Sequence, residues 1–189
     1  MRRLIFVMAL LGGMLLSSYV FAEETQSESN PRAKHLALGF ELKDFSGDYG
    51  LGLNFTTPYF ANGFMALRVH GAMSWLNGVP EGEMEYSWMP YGSVQVAFVG
   101  SVGEVGGFAR FYTEAGGVII FPNKDFSDDI AFGGYGLFGF EFFTSKMSPV
   151  TYFIEAGGMG TNANAEKSAG NPAYANGFII DVGIRWYPY

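Results

Sequence analysis

The sequence has no cysteine. That excludes disulfides, thiolate metal sites, a cysteine nucleophile and a lipid anchor carried on a cysteine after a leader. Histidine is nearly absent as well: His35 and His70 are the only two. Charged residues make up 15% of the 189 and the formal net charge is -7. An acidic chain without clustered Lys and Arg has no footprint for nucleic acid. After Ala22 there is no apolar run long enough for a membrane-spanning helix. What the chain has in quantity is glycine (27), phenylalanine (19) and tyrosine (11). Aromatic and Gly-rich sequence without helical runs suggests strands, and strands cross a membrane only as a closed barrel.

Residues 1–22 read as a secretory signal peptide. Arg2 and Arg3 open it, Leu4 to Leu16 is apolar, and Val20-Phe21-Ala22 offers small residues where a signal peptidase reads. Cleavage there would leave 167 of the 189 residues, a single domain by length. Residues 23–35 are polar, contain Pro31, and read as a short disordered leader on the periplasmic side. Residues 36–189 are expected to form the barrel.

Eight segments of period two fill that stretch. Leu36, Leu38, Phe40 and Leu42 alternate with Ala37, Gly39, Glu41 and Lys43. Tyr49, Leu51, Leu53 and Phe55 alternate with Gly50, Gly52, Asn54 and Thr56. In the third, Met65, Leu67, Val69 and Met73 oppose Ala66, Arg68, His70 and Ala72. The fourth is blurred by Pro90 and settles into Val94, Val96 and Phe98 against Ser93, Gln95 and Ala97. The fifth sets Arg110, Tyr112 and Glu114 against Ala109, Phe111 and Ala115. The sixth sets Gly136, Phe138, Phe140 and Phe142 against Tyr135, Leu137, Gly139 and Glu141. The seventh opposes Tyr152, Ile154 and Ala156 to Thr151, Phe153 and Glu155. The eighth is the clearest: Phe178, Ile180, Val182, Ile184 and Trp186 alternate with Gly177, Ile179, Asp181, Gly183 and Arg185.

One face of nearly every segment is apolar. The other carries tiny residues and single charges, unlike the Lys-, Glu- and Thr-rich outer face of a soluble sandwich. Small side chains suit the lumen of a narrow barrel. The fold expected is therefore all-β: an eight-stranded antiparallel up-and-down transmembrane β-barrel, apolar outside and polar inside. Short connections (57–63, 100–106, 144–149) alternate with longer ones (76–86, 122–129, 161–174), and a short first outer turn lies at Ser46-Gly47-Asp48. That places both termini on the periplasmic side. Aromatic girdles are expected from Phe45, Trp75, Tyr86, Trp88 and Tyr174 near the outer side, and from Tyr59, Phe60, Phe64, Phe143, Tyr152 and Trp186 near the inner.

The strand rhythm, the twice-used Glu-Ala-Gly-Gly (Glu114 to Gly117, Glu155 to Gly158) and the final Gly183-Ile184-Arg185-Trp186-Tyr187 with aromatic Tyr189 resemble the small outer-membrane barrels of the OmpA and OmpX type, a superfamily that also includes OmpW-like proteins. Pro188 departs from the family's terminal alternation. The resemblance implies location in a bacterial outer membrane, contact with outer-membrane lipid and lipopolysaccharide, and reading of the C-terminal strand by the barrel-assembly machinery. A monomer is expected.

The candidate site is a charge network on the lumen face: Glu41, Lys43, Arg68, His70, Arg110, Glu114, Glu141, Glu155, Asp181 and Arg185, joined by Asn54 and Gln95. Charges in a poorly hydrated interior must be paired, and an eight-stranded barrel is just wide enough for its own side chains. The expected role is thus structural or surface-interactive, with the lumen plugged. A narrow OmpW-like channel for small or apolar molecules is the alternative. A lipid A-modifying barrel enzyme is a third reading; such enzymes use a His with a Ser, but the deacylase His-x-Ser-Asn pattern is absent. No catalytic residue, cofactor or metal is expected. The outer loops are acidic (Glu81, Glu83, Glu85; Asp125, Asp128, Asp129) but carry no calcium-loop spacing.

Overall fold

The computed structural model describes residues 31–45, 47–80, 82–145 and 148–188. The proposed signal peptide, Glu81 and Tyr189 lie outside them. A 3-10 turn, η1 (Pro31–Lys34), precedes eight strands: β1 (Ala37–Phe45), β2 (Asp48–Thr56), β3 (Met65–Gly78), β4 (Ser87–Val105), β5 (Ala109–Phe121), β6 (Ala131–Phe143), β7 (Val150–Thr161) and β8 (Gly177–Trp186). Each pairs antiparallel with the next, and β8 returns to β1 to close the barrel. The closing register runs from Leu38↔Trp186 to Phe45↔Ile179. Closure matters physically because it leaves no long strand edge with unpaired backbone groups.

All eight expected segments are strands, and the inward and outward faces fall as the alternation places them. In β2 burial alternates at every residue, with Leu53 67% exposed beside buried Asn54. The apolar face is the outer one. Leu42, Val96, Phe138, Ile154, Val182 and Ile184 are all exposed, a continuous apolar girdle with the charges behind it.

Four expectations are corrected. Pro31–Lys34, taken as the tail of a disordered leader, is ordered. Arg32 is buried, donates to the Ser145 and Ser148 carbonyls, and lies 4.7 Å over the Phe143 ring. Its guanidinium satisfies backbone acceptors of the β6–β7 turn, which a polar composition cannot reveal. β4 is longer than its sequence signal at both ends. Pro90 is accommodated because β5 first pairs at Gly92, so Pro90 stands where β4 has only β3 beside it. At the other end Ser101–Val105 stays paired to β5, leaving only 106–108 as the turn where 100–106 was expected. Tyr174 and Phe143 are not girdle residues; both are buried. Trp88, Tyr86, Tyr152 and Trp186 are exposed near strand ends. Pro188 falls just past β8, and inward alternation continues through buried Tyr187.

Candidate functional site

Because successive side chains alternate across a strand, inward residues two apart stack along the lumen axis. The ten candidate residues all point inward, and each is at most 3% exposed. They form one connected chain in which acid and base alternate at every step. Asp181 on β8 meets Lys43 on β1 at 3.1 Å, and Lys43 meets Glu41 at 2.9 Å. Glu41 meets His70 Nδ1 on β3 at 3.0 Å, and His70 Nε2 meets Glu114 on β5 at 2.8 Å. Glu114 meets Arg68 at 2.6 Å, Arg68 meets Glu155 on β7 at 3.0 Å, and Glu155 meets Arg185 on β8 at 2.5 Å. Arg185 lies 3.6 Å from Glu141 on β6, which pairs with Arg110 on β5. Six strands are tied together this way. Burial on this scale is tolerable only when every charge finds a partner of opposite sign.

Neutral groups fill many of the remaining valences, while Arg68 Nη2, Arg110 Nε, Glu155 Oε2 and Asp181 Oδ1 are buried without a hydrogen-bond partner among the described residues. Asn54 donates to Glu41 at 2.6 Å, and the Thr56 hydroxyl accepts from Arg68 at 2.8 Å. Gln95 accepts from Lys43 at 3.4 Å. Thr151 donates to Glu141 at 2.5 Å. Three tyrosines complete the set: Tyr112 donates to Glu155 and accepts from Arg185, Tyr135 donates to Glu114, and Tyr187 donates to Glu141 and accepts from Arg110. Tyr112, Tyr135 and Tyr187 were missed as network members. Their signal was present, since each occupies an inward position of the period-two pattern. Aromatic faces support the guanidinium groups, with Arg185 3.9 Å from the Phe153 ring centre and Arg110 4.6 Å from that of Tyr59.

Inward glycines make room for these long side chains. A Cβ at Gly139 would lie 2.3 Å from the Tyr112 ring, and one at Gly52 2.7 Å from a Glu41 oxygen. The tiny residues of the polar face are thus the clearance that lets side chains of neighbouring strands lie across the lumen.

Toward the end bearing the longer loops the interior changes character. Val118, Ile120, Leu76, Met89 and Ile179 point inward and are buried. Over them Tyr91, Phe126 and Tyr174 form an edge-to-face cluster with ring centres 5.0–6.4 Å apart. Asp48 accepts from the Tyr91 hydroxyl at 3.0 Å and from the Ala175 amide at 3.2 Å. Loops cross the mouth: the Ala169 amide donates to Val79 and the Lys167 amide to Phe126. Asp128 is held by Lys167 at 2.7 Å. Among the described residues no His, Asp and Glu cluster has the spacing to hold a metal ion, and none of the hydrogen bonds of His70 is to a serine.

This barrel superposes on the N-terminal β-barrel domain of Pseudomonas aeruginosa OprF with a TM-score of 0.54, at 10% identity over 82% of this chain and 98% of that one. The fold is that of a small outer-membrane β-barrel. Ail, the attachment invasion locus protein of Yersinia pestis, is similar at 12% identity over 81% of this chain and 95% of its own, with a looser TM-score of 0.39 that adds nothing to the assignment. No protein-family model matches the sequence, and no curated protein is similar to it.

Proposed function

We propose that the chain is an integral protein of a bacterial outer membrane, exported through residues 1–22, with a structural or surface-interaction role and a lumen closed by its own side chains. The observation that carries this is the inside-out distribution of polarity. Residues such as Leu53 (67% exposed) and Phe138 (46%) face outward, while Glu41, Asp181 and Arg185 are fully buried. A barrel with that exterior is at equilibrium only in lipid. The apolar girdle contacts membrane lipid and, on the outer leaflet, lipopolysaccharide. The C-terminal strand is the segment offered to the barrel-assembly machinery, and the folded unit acts as a monomer. The longer loops face the cell exterior and present Met84 (98% exposed) and Tyr86 (76%) beside Glu83 and Glu85, an outward surface for contact with partners.

Closure is supported at three levels: the ion-pair chain, the apolar layer with its aromatic cluster, and η1 beneath. The reading is non-catalytic. His70 is committed to two carboxylates, and among the described residues no hydrogen bond pairs it with a nucleophile. Recording from the purified protein in planar bilayers tests it. No steady conductance is expected. Stepwise, reproducible openings would replace the closed barrel by a narrow channel for small molecules.

A further inference from the structure

The ten-membered chain contains five carboxylates, Glu41, Glu114, Glu141, Glu155 and Asp181, but only four side chains that are cationic in any ordinary setting, Lys43, Arg68, Arg110 and Arg185. The tenth member is His70. Its Nδ1 lies 3.0 Å from both oxygens of Glu41, and its Nε2 lies 2.8 Å from Glu114 Oε1. A neutral imidazole has one N–H and one lone pair, and a carboxylate only accepts. Two carboxylates facing two ring nitrogens therefore need two protons between the three groups, or a lone pair is pressed against an anion.

The rest of the environment decides where those protons sit. Glu41 already receives Lys43 at 2.9 Å and Asn54 at 2.6 Å. Glu114 already receives Arg68 at 2.6 Å and the Tyr135 hydroxyl at 2.5 Å. Each carboxylate thus accepts from a full cation and from a neutral donor before it meets the histidine, so each is an anion. β2 brings Asn54, β4 brings Gln95, β6 brings the Tyr135 ring edge-on at 6.4 Å, and β8 brings Asp181, which Lys43 holds.

We infer that Glu41, His70 and Glu114 form a buried proton-binding site, in which His70 is the fifth cation of the network and its second ring proton is a constituent of the folded barrel. Acids and bases then balance at five each. The inference does not depend on whether the lumen conducts.

The consequence is proton uptake on folding. In the unfolded chain His70 is an ordinary imidazole, with a pKa of about 6.5. Above that pH the folded state holds one proton more than the unfolded state at this site. Stability from this source is fully present below about pH 6.5 and declines as pH rises. One proton corresponds to a tenfold change in the unfolding equilibrium constant per pH unit.

The test is urea unfolding of the full mature chain refolded in detergent micelles, at pH 7, 8 and 9, for the native protein and for His70→Gln. Gln is neutral at every pH and cannot supply the fifth cation or its titrating proton. The native equilibrium constant should fall more steeply with rising pH than that of the variant, by up to about tenfold per pH unit. Equal pH dependence of the two would overturn the inference. If the variant does not fold, nitrogen NMR of the two histidine rings in the native protein at pH 7.5 decides instead. A ring protonated on both nitrogens and assigned to His70 supports the site; a neutral His70 ring overturns it.

Discussion

Replacing Arg185 by methionine tests the claim that the lumen charges are balanced rather than merely present. Arg185 is fully buried and contacts Glu155 at 2.5 Å, the Tyr112 hydroxyl at 2.9 Å, Asn54 at 3.4 Å and Glu141 at 3.6 Å. Methionine fills similar space and removes the charge, together with the guanidinium contact on the Phe153 ring. Breaking a buried pair by removing one partner costs about 3–5 kcal/mol, because the remaining ion is left uncompensated. Here Glu155 keeps Arg68 at 3.0 Å and Glu141 keeps Arg110, Thr151 and Tyr187. The loss should therefore lie near the lower limit, about 3 kcal/mol. Adding Glu155→Gln to Arg185→Met removes the uncompensated acid as well, and the two changes should couple by about 1–3 kcal/mol. The control is Asp128→Asn, whose partner Lys167 is 2.7 Å away but whose side chain is 62% exposed. An ion pair so exposed is worth at most about 1 kcal/mol. Urea titration of the refolded barrel, followed by tryptophan fluorescence, reads all five proteins, the Glu155→Gln single variant included. If Arg185→Met and Asp128→Asn lose the same stability, the interior is hydrated enough to screen its charges, and the closed lumen is wrong.

Two further outcomes are expected. Val182 lies at mid-length of β8 and pairs with Leu42 and Ile154; Val182→Arg should cost about 2–4 kcal/mol in vesicles. Ile180→Arg should cost less, because its cross-strand neighbour is Asp44, and Glu85→Arg in the β3–β4 loop should cost almost nothing; equal costs at all three depths would mean the girdle is not in lipid. Gly183→Ala places a Cβ 2.1 Å from the Phe40 carbonyl oxygen and 2.6 Å from the Phe153 ring, an overpacking that should cost about 1–3 kcal/mol. Gly160→Ala meets nothing within 4 Å and should be neutral or slightly stabilising by the same urea titration.

Strand faces were legible because period two leaves one choice per strand, and ten isolated charges on otherwise tiny-residue faces mark which choice is inward. The depth of each charge was not in the pattern. It depends on stagger between strands, which only the closed register supplies. That is why Glu141 proves to belong with Arg110 and Arg185, and Asp181 with Lys43. The Asn176 side chain shows the same limit. Its position near a strand end suggests a neutral site, yet it accepts from the Thr161 amide and donates to the Thr161 hydroxyl and the Tyr174 carbonyl.

The upper interior was illegible for a different reason. In Val118-Ile119-Ile120-Phe121 the inward residues Val118 and Ile120 are as apolar as the outward Ile119 and Phe121. Alternation of polarity vanishes where loop residues such as Phe126 and Tyr174 fold back to cover an apolar lumen. This difference between the two layers bears on what the charges are for. A one-residue slip confined to the 118–121 end of β5 would exchange one apolar face for another at little cost. The same slip of β8 would turn Asp181 and Arg185 into the girdle and bring Ile180 and Ile184 inside. At each charge near mid-membrane that reversal costs a few kcal/mol, and it orphans Lys43 and Glu155 in addition. Only the charged layer can reject a shifted register. Its buried ion pairs contribute little net stability over an apolar filling, so their consequence for folding is to make a single closed barrel the only arrangement in which every charge is paired.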